Sequence, residues 1–124
     1  MRLSPQPARS HIRTYRTRGH AVVELRGEID IVAADEIIPV LDTVTEPAAP
    51  SVIVSLLDVD FFDCSGLRLL CRARRRADER GGQLVLVCTH PLTLRILHIV
   101  RLTVMFPVYE TLDEALDRRE ASAC

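Results

Sequence analysis

The order of apolar and polar residues along the chain predicts strands that alternate with helices. The start of the chain has the pattern of two strands joined in a hairpin: the strands are His11 to Arg16 and Ala21 to Ile29, with a tight turn at Arg18 to His20. Two continuous apolar runs, Ser51–Leu56 and Gln83–Cys88, are typical of parallel strands that are buried on both faces. A short last strand is predicted over Val104 to Tyr109.

Helical spacing of apolar residues predicts four helices between and after these strands. They begin near Val32, Ser65, Pro91 and Thr111. Pro39 should bend the first helix or mark its first turn. Gly81 and Gly82 are expected to end the second helix, and Thr111 with Glu114 forms the pattern of a capping box for the last one, which should run to about Arg119.

This order of elements predicts an α/β fold with a mixed, mainly parallel sheet of about five strands, an N-terminal hairpin and about four helices. The length of 124 residues fits one domain. We expect that domain over residues 11–120, after a loose lead-in at 1–10 that contains Pro5 and Pro7, and before a tail at 121–124.

Charge and composition narrow the function classes. The 16 basic and 17 acidic residues nearly cancel, which argues against direct binding of nucleic acid by charge neutralisation. Every basic residue is arginine, so Schiff-base chemistry and a phosphate-binding lysine are excluded. Apolar runs are too short for a membrane span, and the start of the chain lacks a signal-like segment, so we expect a cytoplasmic protein without membrane partners.

The cysteines give no sign of a metal site. Cys64, Cys71, Cys88 and Cys124 include no CxxC pair and no spacing typical of zinc ligands. Reduced, structural thiols are the favoured interpretation, and neither a metal nor another cofactor is expected.

The stretch Phe61–Leu67 lies between the central strand and the arginine-rich second helix. A serine at a helix start, here Ser65, lies near unpaired N–H groups and the positive end of the helix dipole, which together favour an added phosphate by about 0.3–1 kcal/mol. Gly66 has no side chain, which would leave the Ser65 hydroxyl approachable by another protein. The simpler alternative is that Ser65 or Asp63 only caps the helix.

The outward face of the second helix is rich in arginine. On a helical wheel its members are Arg68, Arg72, Arg75, Arg76 and Glu79, with Leu69 at the edge of this arc. Such a face is often merely solvated. It also suits an acidic partner with an apolar recess, in which case Leu67, Arg68, Leu69 and Arg72 are the expected contacts. Arg74 falls within the apolar arc and should lay its stem along the core.

Several segments resemble one family in order over roughly residues 12–118. They are Gly27–Asp30, Phe61–Leu67, Arg75–Ala77 with Gly81–Gly82, and Phe106 with Glu114–Leu116. This set resembles the anti-sigma factor antagonists of the STAS domain family, and the specific element is Asp63-Cys64-Ser65-Gly66. The resemblance implies a non-enzymatic, bacterial partner-switching regulator of transcription, such as those of stress responses.

In such a pathway the resemblance implies that Ser65 is phosphorylated by an anti-sigma factor that is also a serine kinase. The unphosphorylated protein would bind that anti-sigma factor, the phosphorylated one would release it, and a PP2C-type phosphatase would reset the switch. Asp30 and Asp63 match the acidic residues beside the phosphorylation site, with Cys64 and Gly66 adjoining it.

Three residues depart from the family's pattern. Cys64 replaces a second hydroxyl residue, which leaves open either a redox-sensitive thiol or, as favoured, a small thiol at a buried edge. Ser55 replaces an aspartate at the expected end of the central strand. Pro39 interrupts the first helix, so the surface beside Asp30 should differ in shape.

Three other functions compete with this interpretation. A STAS module that never switches and serves a transport complex as a regulatory or structural subunit often lacks the serine that Ser65 provides. A serine hydrolase would need a Gly-x-Ser-x-Gly elbow and a placed histidine, which the sequence around Ser65 does not provide. A nucleotide site could use a helix start, but no glycine-rich phosphate loop is present.

Overall fold

Strands and helices alternate as the apolar pattern predicts. In the computed structural model of the chain, residues 12–102 and 106–123 are described. The strands are β1 (Ile12–Thr17), β2 (His20–Ile29), β3 (Ser51–Phe62), β4 (Gln83–Val87) and β5 (Val108–Tyr109). The helices are α1 (Ile31–Val44), α2 (Cys64–Glu79), α3 (Pro91–Ile99) and α4 (Leu112–Ala123).

One five-stranded sheet contains all of these strands, in the spatial order β1-β2-β3-β4-β5. β1 is antiparallel to β2, and every other neighbouring pair is parallel. The two-residue turn between β1 and β2 has positive φ at both Arg18 (52°) and Gly19 (80°), which matches the twist of a hairpin. The predicted mixed, mainly parallel sheet with an N-terminal hairpin is confirmed.

Helices cover both faces of the sheet, which explains why its central strands are apolar throughout. Val22, Ile53 and Val85 form one cluster with Ala115 and Leu116 of α4. The alternate strand residues face the other side and join α1, α2 and α3 in the larger cluster, to which the sheet contributes Val23, Leu25, Val52, Val54, Leu84 and Leu86.

The central strand β3 is longer than the run Ser51–Leu56 that the sequence predicts. Its pairing with β4 ends at Ser55, but its pairing with β2 continues to the partners Ile29 and Phe62. The extension alternates exposed Asp58 and Asp60 with buried Val59, a pattern of a half-exposed strand. Ser55 therefore lies within β3, whereas the sequence predicts it at the end of the strand.

The helix ends largely follow the sequence signals. Gly81 has φ of 76°, and the N–H groups of Gly81 and Gly82 donate to the Asp78 and Ala77 carbonyls at 3.1 and 2.8 Å. This is a Schellman motif, so the predicted glycine end of α2 is confirmed. The capping-box bond from the Glu114 N–H to Thr111 Oγ1 is also present, at 3.0 Å.

Other boundaries differ from the sequence expectations. Pro39 lies inside α1, which continues past it to Val44, so it does not mark the first turn. The last strand contains only Val108 and Tyr109; its predicted start at Val104 and Met105 lies outside the described residues. α4 continues to Ala123, through most of the tail expected at 121–124, while the lead-in at 1–10 lies outside the described residues.

Candidate functional site

Two helices begin side by side where β2 and β3 end. Ile29 and Phe62 are partners in the sheet, and the Asp63 N–H donates to the Ile29 carbonyl at 3.3 Å. A single residue separates each strand from its helix: Asp30 between β2 and α1, and Asp63 between β3 and α2. The paired strand ends therefore place the starts of α1 and α2 at one edge of the sheet, where parallel sheets commonly carry function.

An aspartate caps each of these helices. Asp30 Oδ1 accepts a hydrogen bond from the Ala33 N–H at 3.0 Å, and Asp63 Oδ1 accepts one from the Ser65 N–H at 2.8 Å. Each bond satisfies one of the N–H groups that a helix start leaves unpaired. Of the two caps that the sequence allows for α2, Asp63 is the one used, and the Ser65 side chain is left for another role.

Ser65 lies in the first turn of α2, half-buried, and its hydroxyl forms no hydrogen bond among the described residues. It borders a depression of about 360 Å³ between α1 and α2. We call this the α1–α2 depression; its lining includes Ile31, Asp35 and Ile38 of α1 and Ser65, Arg68 and Arg72 of α2. An unengaged hydroxyl beside an open recess is suited to accept a group delivered by another protein.

Gly66 is required by packing. A Cβ at this position would lie 2.7 Å from Cδ1 and 2.9 Å from Cβ of Phe62, closer than carbon atoms approach. Gly66 is buried, so its missing side chain lets the first turn of α2 lie against β3. The expectation that it keeps the outer approach to Ser65 open is wrong.

The described cysteines, Cys64, Cys71 and Cys88, form no disulfide with one another. Cys64 is exposed, which corrects the favoured interpretation of a thiol at a buried edge. Cys71 is half-buried and Cys88 is buried, and burial raises the pKa of the Cys88 thiol. Cys124 lies outside the described residues. Within the described part of the chain, no group of three histidine, cysteine or acidic residues could hold a metal.

Three of the four expected partner contacts, Leu67, Arg68 and Arg72, remain at the surface of α2. Arg68 is exposed and Leu67 is half-buried, whereas Leu69 is only 2% exposed and belongs to the core. The expectation that Leu69 lies at the outer edge of the helix is wrong, because α1 packs over that flank of α2. Leu69 forms only part of the floor of the α1–α2 depression.

Arg72, the fourth expected contact, is engaged within the molecule. Its Nε and Nη2 atoms donate to the two carboxylate oxygens of Asp42 at 3.3 and 2.9 Å. Arg76 Nε lies 3.3 Å from Asp42 Oδ1 and also donates to Thr45 Oγ1 at 3.0 Å. The hydrogen bond from Arg72 is the main cause that holds the pKa of Asp42 below its ordinary value, so this cluster ties α1 to α2.

Arg74 is half-buried, and the contacts that define its position are those of its guanidinium and not of its stem. Its guanidinium carbon lies 5.9 Å from the centre of the Phe106 ring, and Nη1 lies 3.4 Å from Asp78 Oδ2. The charged guanidinium thus lies over an aromatic side chain and also reaches a carboxylate.

Three exposed apolar residues, here called the apolar rim, lie at the edge of the sheet that carries the site, and the sequence pattern did not predict them. Ile31 and Val32, in the first turn of α1, are 64% and 65% exposed, and Phe61 at the end of β3 is 50% exposed. The available signal was local: two large apolar residues follow the Asp30 cap, and Phe61 alternates with buried Phe62. Exposed large apolar side chains on the elements that carry the site make this edge of the sheet a candidate interaction surface.

The mixed sheet and its paired helix starts define an α/β domain of the kind found in anti-sigma factor antagonists. The STAS domain family model matches residues 11–115, and the chain belongs to that family. An anti-sigma F factor antagonist of Paenibacillus polymyxa is 26% identical over 104 residues, which are 83% of this chain and 89% of the relative.

Solved structures agree with this assignment. The crystal structure of an anti-sigma factor antagonist from Mycobacterium paratuberculosis is 30% identical, with a TM-score of 0.78, and the match covers 86% of this chain and 91% of that one. The Bacillus cell fate determinant SpoIIAA, in its phosphorylated form, is 24% identical with a TM-score of 0.68, covering 86% and 97% of the two chains. That second likeness shows the shared fold.

None of the helices in the described part of the chain combines the length and the apolar character that crossing a membrane requires.

Proposed function

We propose that this protein is an anti-sigma factor antagonist whose partner affinity is switched by phosphorylation of Ser65. The observation that carries the proposal is the Ser65 hydroxyl, which is unengaged among the described residues and borders the α1–α2 depression. The names of its relatives support the partner class, and the phosphorylated form of SpoIIAA shows that a protein of this fold is a phosphoprotein.

The unphosphorylated surface offers apolar and cationic groups to the anti-sigma factor. Ile31, Val32 and Phe61 form the apolar rim, with Leu67 and Arg68 on the adjoining face of α2. Burying such side chains stabilises a complex by about 25 cal/mol for each Å² of apolar surface removed from water. We expect a partner surface that carries apolar side chains together with carboxylates opposite Arg68.

In the switching step, the anti-sigma factor acts as a serine kinase. Its nucleoside triphosphate donates the γ-phosphoryl group to Ser65 Oγ: the new O–P bond forms, the bond to the β-phosphate oxygen breaks, and the hydroxyl proton passes to a base. A PP2C-type phosphatase returns the hydroxyl by hydrolysis. The antagonist itself is the substrate in both reactions and performs no catalysis of its own. Both reactions take place in the cytoplasm.

The phosphate adds about −1.5 to −2 charges to the apolar and cationic surface that is offered to the partner. Its desolvation in a tight interface is unfavourable, and Asp63 and Asp30 already lie at the same edge of the sheet. A loss of about 3 kcal/mol in binding raises the dissociation constant by roughly two orders of magnitude, which is enough to release a partner.

The test compares Ser65→Ala, Ser65→Asp and the wild type as baits in lysate of the native organism supplied with ATP. Cys64→Ser is the matched control, because Cys64 is the exposed neighbour. Ser65→Ala should retain an anti-sigma factor with kinase activity, Ser65→Asp should lose it, and Cys64→Ser should behave as wild type. Equal capture of the anti-sigma factor by Ser65→Ala and Ser65→Asp would contradict the proposed switch.

Mass spectrometry of the protein from its own cells completes the experiment. We expect Ser65 to be partly phosphorylated, with an occupancy that changes between growth and stress. A Ser65 that is never modified would contradict the proposal and favour a STAS module that serves a transport complex without switching.

A further inference from the structure

Arg68 is an available cation beside the proposed phosphorylation site. It lies three residues after Ser65 on α2, it is exposed, and both residues border the α1–α2 depression. Nearby arginines are already engaged: Arg72 and Arg76 bind Asp42, and Arg74 binds Asp78. Arg68 forms no ion pair among the described residues.

Helix geometry brings the Arg68 side chain toward Ser65. Residues three apart lie on the same face of a helix, with their Cβ atoms about 5–6 Å apart. Side chains in helices lean toward the N-terminus, so the longer residue at the later position covers the earlier one. A guanidinium at this position can therefore reach a phosphate on Ser65 with two parallel hydrogen bonds.

Other charged groups around the depression make this pairing favourable. Asp35 of α1 lines it, and the Asp63 carboxylate accepts from the Ser65 N–H at 2.8 Å. A phosphate on Ser65 would thus add negative charge beside existing carboxylates. Arg75 also lines the depression, but it lies ten residues after Ser65, or about 15 Å along the helix axis.

We propose that Arg68 receives the phosphate of phosphorylated Ser65 and thereby changes from a partner contact into an internal counter-ion. The proposal rests on the proposed function and names how the same site is regulated. One phosphate then acts twice: it adds charge to the partner surface, and it withdraws the cation that attracts acidic groups of the partner. Release is stronger than either effect alone would produce.

The phosphate itself reports the pairing. Phosphoserine is incorporated at position 65 during translation, so that no kinase is needed. This is done in the wild type, in Arg68→Gln and in Arg75→Gln. A ³¹P NMR titration then gives the second pKa of the phosphate in each protein. Loss of a nearby cation disfavours the dianion, so this pKa should rise by about 0.2–0.7 of a pH unit in Arg68→Gln, with Arg75→Gln matching the wild type.

Two further measurements exclude a merely structural effect. Arg68→Lys keeps the charge, so its phosphate should titrate close to the wild type. The difference between wild type and Arg68→Gln should shrink in 1 M salt, where the Debye length falls to about 3 Å. Thermal unfolding of the unphosphorylated variants checks that each is folded.

Identical titration of the phosphate in wild type and Arg68→Gln would overturn the inference. That result would leave the proposed function standing, because the capture experiment with Ser65→Ala and Ser65→Asp keeps Arg68 unchanged in every bait. Conversely, a raised pKa in Arg68→Gln upholds the pairing even if the capture experiment fails.

Discussion

At the residue scale, the stretch around Ser65 combines the proposed phosphorylation site with tight packing. Gly66→Ala tests the packing, because the added Cβ would meet the Phe62 ring and its Cβ at 2.7 to 2.9 Å. Overpacking of this kind costs about 1–3 kcal/mol, whereas alanine gains at most about 1 kcal/mol over glycine in helix propensity. We expect a lower free energy of unfolding in urea, with exposed Cys64→Ala unchanged as the control. An unchanged midpoint for Gly66→Ala would show that α2 does not rest on Phe62.

The cap of α2 makes a second prediction for a single residue. Asp63→Ala removes the acceptor for the Ser65 N–H and should cost about 0.5–2 kcal/mol of stability, measured by urea unfolding. Asp63→Asn keeps an acceptor oxygen and should remain close to the wild type. If asparagine were as destabilising as alanine, charge rather than capping would explain the role of Asp63.

Between elements, the Asp42 cluster predicts how stability depends on pH. Arg72 holds the pKa of Asp42 below its ordinary value of 3.8 in the folded protein. A carboxyl whose pKa is lower when folded stabilises the protein above its unfolded pKa, and this contribution is lost as the pH falls through the folded value. The difference in unfolding free energy between wild type and Asp42→Asn should therefore be constant near neutrality and shrink below pH 3.8.

The Asp42 carboxyl can also be titrated directly by NMR. Arg72→Gln removes the main cause of the shift, so the pKa of Asp42 should rise toward 3.8, while Arg76 keeps part of the effect. A pKa of Asp42 that is identical in wild type and Arg72→Gln would contradict the bidentate pair between α1 and α2.

Contacts between elements also explain which features could be predicted from the sequence. The Schellman end of α2, the Thr111 cap and the hairpin depend on neighbours in the chain, and local patterns revealed them. The burial of Leu69 depends on α1, and the need for glycine at position 66 depends on Phe62 of β3. Both partners belong to other elements than α2. A helical wheel of α2 alone cannot show that α1 covers Leu69, so the wheel assigned that side chain to the surface.

For the whole molecule, parallel pairing of β2 and β3 determines where the site lies. Their carboxyl ends extend beyond the pairing with β4, and the starts of α1 and α2 follow at that same edge. α4 packs on the opposite face of the sheet, away from α1 and α2. A charge added at Ser65 is thus next to the apolar rim and separated from α4 by the sheet.

This separation predicts a switch that acts by local charge and not by a change of fold. In Ser65→Asp, amide NMR shifts should move at the starts of α1 and α2 and stay unchanged in β1 and α4. Since an acidic residue in the first turn of a helix is favourable by about 0.3–1 kcal/mol, the variant should be at least as stable as Ser65→Ala in urea. Shift changes that extend to α4, or a loss of stability in Ser65→Asp alone, would mean that phosphorylation releases the partner by deforming the sheet. If the fold is unchanged, the change in partner affinity comes from the added charge at Ser65 and from the side chains that pair with it. Arg68 is the nearest arginine on α2 that forms no ion pair among the described residues.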